Sequence, residues 1–77
     1  MKKEYKPLTE KQMVGYLIEE CGEVQAALGK SVRWGMESYN PELPEDQREY
    51  NFQWILRELK DLKRAIRFVE KFIKENY

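Results

Sequence analysis

Two acidic motifs stand among apolar residues in this chain. In YLIEECGEV, Glu19, Glu20 and Glu23 lie between leucine, isoleucine and valine, and in RELKDL, Glu58 and Asp61 flank a leucine and a lysine. Residues three apart lie on the same side of a helix. Paired carboxylates of this kind form either a solvated helix edge or the ligands of a metal ion. The elements that carry the motifs decide between these interpretations.

The first motif lies in a predicted amphipathic helix that spans about Thr9 to Arg33. Thr9 and Gln12 have the spacing of a capping box. Apolar residues then recur at alternating steps of three and four: Val14, Leu17, Cys21, Val24 and Leu28. The segment GMESYNPELPED contains one glycine and two prolines. It predicts a loop of roughly ten residues, because these residues break helices.

The helical period returns from about Glu45 and predicts a second helix of roughly 30 residues, with a break near Tyr50-Asn51. Its apolar positions are Phe52, Ile55, Leu59, Leu62, Ile66, Val69 and Ile73. A short connection makes the two helices antiparallel neighbours. The predicted fold is therefore all-α, an antiparallel helical hairpin forming a single domain over residues 1–77. Its wide apolar faces need covering, so we expect a homo-oligomer that forms a four-helix bundle, as a homodimer or homotetramer.

The amino-acid composition argues against several classes of protein function. The chain has 14 Lys plus Arg residues and 14 Asp plus Glu residues. Its charges balance, so its net charge does not favour binding to nucleic acid or to a membrane surface. No run approaches the ~18 apolar residues of a membrane span. The single cysteine, Cys21, lies in the apolar pattern, which is typical of a small core residue in a reducing compartment, so we expect a cytoplasmic protein. The absence of histidine excludes histidine-based zinc sites and Ser-His or Cys-His nucleophile pairs.

The angular positions of the carboxylates predict that they converge. Glu20 lies about 80° from the centre of the first apolar stripe and Glu58 about 65° from the centre of the second, so both are flank residues. Glu23 and Asp61 lie about 60° further out in the same rotational sense, which an antiparallel hairpin brings to one side of the seam. Four crowded anions need protons or a cation between them. Oxygen ligands alone suit Mg²⁺ or Mn²⁺, ions that commonly bind phosphates in proteins.

The two motifs together also carry a family resemblance. E-E-x-x-E at Glu19, Glu20 and Glu23, followed by E-x-x-D at Glu58 and Asp61, resembles the signature of the all-α nucleoside triphosphate pyrophosphohydrolases. That superfamily includes the MazG proteins and the dimeric dUTPases. The K-x-x-R-W-G segment and the Tyr-Asn-Pro of the loop are similar to those of small MazG-like proteins. The resemblance implies hydrolysis of a nucleoside triphosphate, with Mg²⁺ or Mn²⁺, between its α and β phosphates to monophosphate and pyrophosphate.

The resemblance also implies a role for each acidic residue. Carried over position by position, Glu20, Glu23, Glu58 and Asp61 would be the metal ligands. Glu19 would be a further ligand or the catalytic base that helps to activate the attacking water.

Substrate-binding residues are expected at the end of the first helix and in the loop. Lys30 lies on the face of Glu23, two turns on, where it would reach the triphosphate tail. Arg33 is a second candidate for that contact. Trp34, Tyr39 and Asn40 are positioned to stack on or hydrogen-bond to the base or sugar.

Two other functions fit the same residues. A non-catalytic helical protein-interaction module would bind a partner through its wide apolar face. A nucleotide-sequestering module would keep the metal site and bind nucleotide without turnover.

Overall fold

The computed structural model describes residues 5–77, and two long α-helices make up most of them. Helix α1 spans Glu10–Trp34, a 3₁₀ turn spans Glu45–Gln47, and helix α2 spans Asn51–Asn76. In the described part of the chain the only extended pairing is an isolated bridge in the connecting loop. The prediction of an all-α fold is confirmed. Neither helix is long and apolar enough to cross a membrane.

Contacts at both ends of the hairpin fix its antiparallel direction. At the open end, the Tyr77 hydroxyl donates a hydrogen bond to Glu10 at 3.0 Å. At the loop end, the Asn51 side-chain amide donates to the Gly35 carbonyl at 2.9 Å. The start of one helix therefore lies beside the end of the other, as the short connection predicted.

Local sequence determines where α1 begins and ends. The Thr9 hydroxyl oxygen accepts a hydrogen bond from the Gln12 backbone N–H at 3.1 Å, and the Gln12 side chain accepts from the Thr9 N–H at 3.3 Å. This is the predicted capping box. At the other end, Gly35 has φ +100°, a conformation that glycine adopts without a steric penalty. The Gly35 N–H donates to the Ser31 carbonyl and closes the last turn.

Helix α2 begins at Asn51, so the predicted start at Glu45 is wrong and the loop is longer than expected. The segment Glu45–Gln47 forms only a single 3₁₀ turn, because the backbone becomes extended again at Arg48, with φ −74° and ψ 138°. The predicted break near Tyr50-Asn51 is the true beginning of the helix.

Backbone pairing between the two ends of the loop explains this later start. The Ser38 carbonyl accepts from the Asn51 N–H at 2.8 Å, and the Met36 carbonyl accepts from the Phe52 N–H at 3.0 Å. These bonds satisfy two of the N–H groups that every helix leaves free in its first turn. The entry to α2 is thereby tied to the exit from α1.

The seam between the helices is rotated from the predicted apolar stripes. The buried residues of α1 are Glu20, Val24, Ala27 and Ser31, and those of α2 are Asn51, Ile55, Glu58 and Ala65. Cys21, expected in the core, is exposed instead, and so are Val14 and Leu28. The alanines at positions 27 and 65 are fully buried, so the helices approach each other through faces that carry small side chains.

This rotation leaves an apolar stripe uncovered on each helix. The members that are at least 36% exposed are Val14, Ile18, Leu28 and Val32 on α1, and Phe52, Leu56, Ile66 and Ile73 on α2. At about 100° per residue, each stripe is displaced from its seam by roughly a quarter turn in the same rotational sense. On antiparallel helices the two stripes therefore lie on one side of the hairpin. We call this surface the apolar face.

Candidate metal centre

Three carboxylates from the two helices meet in the seam. One oxygen each from Glu20, Glu58 and Asp61 lies within 4.8 Å of the others. Glu20 is 8% exposed and Glu58 is 4% exposed, whereas Asp61 is half-buried. A Mg²⁺ ion about 2.1 Å from each ligand holds oxygens roughly 3 to 4 Å apart. Small side-chain movements would therefore close this cluster on a divalent cation.

Two of the buried oxygens have no hydrogen-bond partner among residues 5–77. These are Oε2 of Glu20 and Oε2 of Glu58. A buried polar atom without a partner costs about 1–3 kcal/mol, and more when it carries charge. Each helix thus contributes an acceptor that nothing in the described part of the chain satisfies. Acceptor-only oxygens in an acidic setting suit a hard cation, so these residues could hold a metal ion of that class.

The electrostatics of the cluster favour uptake of positive charge. Burial raises the pKa of Glu20, and the nearby charges of Asp61 and Glu58 raise it further, while a hydrogen bond with Glu23 lowers it. Burial is also the main cause of the raised pKa of Glu58, to which a hydrogen bond with Glu23 contributes. Two acids are therefore held under conditions that disfavour their ionised forms. Either protonation or a bound cation would relieve the repulsion between the carboxylates of the cluster.

Glu23 and Glu19 lie outside the buried cluster. Glu23 is exposed but within hydrogen-bonding reach of both Glu20 and Glu58, so it forms the rim of the cluster. Glu19 is exposed, and its charge is the weakest of the acidic influences on Glu20. The structure thus brings three of the four predicted ligands together, with Glu23 at the rim and Glu19 outside the cluster.

The predicted flank position of Glu20 and Glu58 is wrong, because both are buried in the seam itself. The predicted seam was centred on the apolar stripes. The helices instead pack through the neighbouring faces, which turns these two glutamates inward and moves part of each stripe to the surface.

Arg57 is a component of this site that the sequence pattern did not predict. Its Nη1 donates to Glu58 Oε1 at 3.0 Å, and its Nη2 and Nε donate to the two carboxylate oxygens of Glu49 at 2.7 and 3.3 Å. Neighbouring residues in a helix point in directions about 100° apart. The order Arg57-Glu58 alone therefore gives no signal that the two side chains meet.

The predicted phosphate-binding residues are near the loop end of α1 and do not contact the cluster. Lys30 is exposed, and no hydrogen bond or ion pair involves it within residues 5–77. The Arg33 guanidinium lies over the Trp34 ring, 5.0 Å from its centroid. Trp34 is 58% exposed, so its ring remains accessible on the other face.

Tyr39 and Asn40 lie in the loop and have local partners. The Tyr39 ring packs edge-on against Tyr50, with centroids 6.0 Å apart, and the Arg48 guanidinium lies 4.9 Å from its centre. The Asn40 side-chain oxygen accepts from the Glu42 N–H at 3.0 Å, which stabilises the turn.

A shallow pocket of about 410 Å³ lies in the loop, and its lining residues are Tyr39, Glu45, Arg48, Glu49 and Tyr50. Glu49 both borders this pocket and binds Arg57, which in turn contacts Glu58. The loop and the carboxylate cluster are therefore joined by a single guanidinium group.

Comparison with protein-family models, curated proteins and solved structures found no match to this chain. The fold and the site define it as a two-helix hairpin with a candidate centre for a divalent cation. The resemblance to the all-α pyrophosphohydrolases depends on its sequence motifs alone.

Proposed function

We propose that this chain is a metal-dependent nucleoside triphosphate pyrophosphohydrolase that cleaves a (d)NTP to (d)NMP and pyrophosphate. The observation that best supports this function is that one carboxylate oxygen of Glu20 and one of Glu58 are buried without a hydrogen-bond partner among the described residues, in a cluster with Asp61. A structural hairpin gains nothing from such a pair, because apolar residues of similar size would cost less to bury. If the two carboxylates bind a cation that in turn binds phosphates, their burial has a functional reason.

The ligands would be Glu20, Glu58 and Asp61 inside the seam, with Glu23 at the rim. A bound Mg²⁺ or Mn²⁺ supplies positive charge opposite the phosphate oxygens and makes a nearby water more acidic. Glu58 enters this set with one oxygen already bound to Arg57, so its other oxygen is the one available.

The exposed residues around the cluster would carry the remaining steps. Glu19, adjacent to Glu20 and open to solvent, would accept the proton of the water that attacks the α-phosphorus. The bond between that phosphorus and the bridging oxygen breaks, and pyrophosphate leaves. Lys30 would bind the triphosphate tail with Arg33 as a second cation. Trp34, Tyr39 and Asn40 would contact the base and sugar.

We further propose that the hairpin works as a homo-oligomer in the cytoplasm. Ile18, Val32 and Leu56 on the apolar face are 66%, 89% and 64% exposed. Covering this face with a second copy would give a four-helix bundle, and two such dimers would give a tetramer. Glu23 and Asp61 are displaced from the seam in the opposite rotational sense, so this association would leave the entrance to the carboxylate cluster open.

A screen of common and modified (d)NTPs with Mg²⁺ and Mn²⁺ tests the activity. Pyrophosphate and monophosphate should both appear for at least one substrate. Glu23→Gln and Asp61→Asn should abolish the reaction, whereas Glu70→Gln, which changes an exposed acid elsewhere on α2, should retain it. If the purified protein leaves every nucleotide intact with both metals, the hydrolase assignment is wrong.

The uncovered apolar face supports a second candidate, a non-catalytic module that binds a helical protein partner. Under that function, neutralising the carboxylates would leave binding and cellular function unchanged. A nucleotide-sequestering protein would instead bind NTP tightly with metal and release no product. Calorimetry beside the product assay separates these three outcomes.

A further inference from the structure

The contact between Arg57 and Glu58 requires an explanation, because the two residues are neighbours in a helix and point in directions about 100° apart. Long side chains in a helix lean toward its N-terminus. From position 57 that direction leads to the end of the loop, where Glu49 binds the guanidinium through two hydrogen bonds. Glu49 therefore holds the side chain of Arg57 in the position from which Nη1 reaches Glu58.

The position of Glu49 is in turn determined by the loop. The residue after it, Tyr50, pairs with Tyr39 in the isolated bridge. One residue further on, Asn51 donates to the Ser38 and Gly35 carbonyls through its backbone and side chain. Asn51 is buried and its amide bond crosses between the two helix ends. The two residues that follow Glu49 are thus bound to the end of α1 and the start of the loop.

The consequence for Glu58 is that its two oxygens have different roles. Oε1 is 3.0 Å from Arg57, and Oε2 is buried without a hydrogen-bond partner among residues 5–77. Glu58 is also one of the three residues of the carboxylate cluster. The Glu58 side chain is only 6% exposed, whereas the side chains of Arg57 and Glu49 are 55% and 34% exposed. A buried ligand is therefore held from outside the cluster by a more accessible ion pair.

We propose that Arg57 is a positioning residue for the metal centre, which fixes the Glu58 carboxylate so that Oε2 faces Glu20 and Asp61, and that Glu49 fixes Arg57. This role rests on the proposed metal-dependent function. Replacing a residue that hydrogen-bonds to a metal ligand, without contacting the metal itself, typically lowers metal affinity by about 10- to 100-fold.

A positioning role and a purely electrostatic role of Arg57 predict opposite changes in metal affinity when the arginine is replaced, which makes the positioning role testable. Removing a positive charge beside a cation site strengthens cation binding by Coulomb's law. If Arg57 acts only through its charge, Arg57→Gln should bind Mn²⁺ more tightly. If Arg57 orients Glu58, the same variant should bind Mn²⁺ less tightly, because the ligand then has to be ordered when the ion binds.

The experiment is a titration of the full chain with Mn²⁺ alone, followed by the electron paramagnetic resonance signal of the free ion. Arg57→Gln should weaken binding about tenfold or more. Arg57→Lys should also weaken it, because an ammonium keeps the charge but cannot bridge Glu49 and Glu58 as a planar fork. Arg67→Gln, an exposed arginine on the same helix, is the matched control and should leave the affinity unchanged. Circular dichroism establishes that each variant retains its helices.

Glu49→Gln tests the chain of contacts from its far end. It should weaken Mn²⁺ binding, and the double variant with Arg57→Gln should be no weaker than Arg57→Gln alone, because the two residues act as one unit. Equal or tighter binding by Arg57→Gln would overturn the positioning role, and so would full affinity in Arg57→Lys. If the unaltered chain bound no Mn²⁺, the metal centre and this role would both be refuted, whereas intact binding in the variants would refute the role alone.

Discussion

Replacing Glu20 with glutamine should raise the stability of the metal-free protein and remove its response to a metal ion. Glu20 is 8% exposed, and its Oε2 has no hydrogen-bond partner in the part of the chain that the structure describes. The like charges of Asp61, Glu58 and Glu19 also act on it. Glutamine keeps the shape of the side chain and removes the charge. The variant therefore separates the cost of burying a carboxylate from the packing that the side chain provides.

The expected gain follows from the cost of an unsatisfied buried group. That cost is about 1–3 kcal/mol, and glutamine recovers only part of it because its amide also lacks partners. We expect a gain of about 1 kcal/mol, which raises Tm by roughly 4–8 °C in a chain of this size. At a Mn²⁺ concentration of 100 times Kd, the unaltered protein gains about 2.7 kcal/mol. The order of stability of the two proteins should therefore reverse when Mn²⁺ is added.

Thermal unfolding followed by circular dichroism, with and without Mn²⁺, measures this reversal. The protein concentration must be held constant, because association makes Tm depend on it. Glu19→Gln is the matched control: its exposed carboxylate should change stability by no more than about 0.5 kcal/mol. A metal-free Glu20→Gln protein that melts below the unaltered chain would refute the reasoning, as would equal responses of the two proteins to Mn²⁺.

Three further predictions concern pH, the loop anchor and association. Glu20 and Glu58 have folded-state pKa values raised above 4.5, so their stabilising contribution is present below that pH and is lost as pH rises through the raised values. Urea unfolding of the metal-free protein should show this loss, and it should be smaller in Glu20→Gln; an equal loss in the variant would contradict the assignment. Asn51→Ala removes the partly buried bond to the Gly35 carbonyl and should cost about 1–3 kcal/mol in urea unfolding; a cost below about 0.5 kcal/mol would show that this bond does not anchor the loop. Val32→Lys places a charge at the most exposed position of the apolar face and should reduce the mass measured by light scattering to that of one chain, with helicity unchanged; an unchanged oligomer would place the interface elsewhere.

The sequence was sufficient for features that local chemistry determines. The capping box at Thr9 predicted the first helix start, because its two hydrogen bonds involve residues only three apart. The glycine at position 35 ended the helix where the apolar pattern stopped. The antiparallel arrangement followed from a connection too short to reach a distant partner.

The orientation of the helices was beyond what periodicity can determine. Apolar spacing shows that a helix has a face to bury, but it does not show whether another helix of the same chain or a second copy covers that face. Val14, Cys21 and Leu28 belong to such a stripe and are exposed in the hairpin. The convergence of Glu20 with Glu58 was nevertheless predictable, because the rotational sense of both offsets was the same.

Two parts of the site depended on contacts that no local pattern encodes. The later start of α2 comes from backbone bonds that Asn51 and Phe52 make to residues before the loop. The role of Arg57 depends on Glu49, whose position those bonds determine. Both features arise from pairing across the loop, and the sequence gives no spacing rule for that pairing.

Phosphorus NMR of a (d)NTP identified by the substrate screen, incubated with the full chain and Mg²⁺, is the most direct test of the proposed activity. The α, β and γ resonances should disappear together while equimolar monophosphate and pyrophosphate appear, and Asp61→Asn should leave the spectrum unchanged. Nucleoside diphosphate with inorganic phosphate would contradict the account, because the bond cleaved would then be the one between the β and γ phosphates.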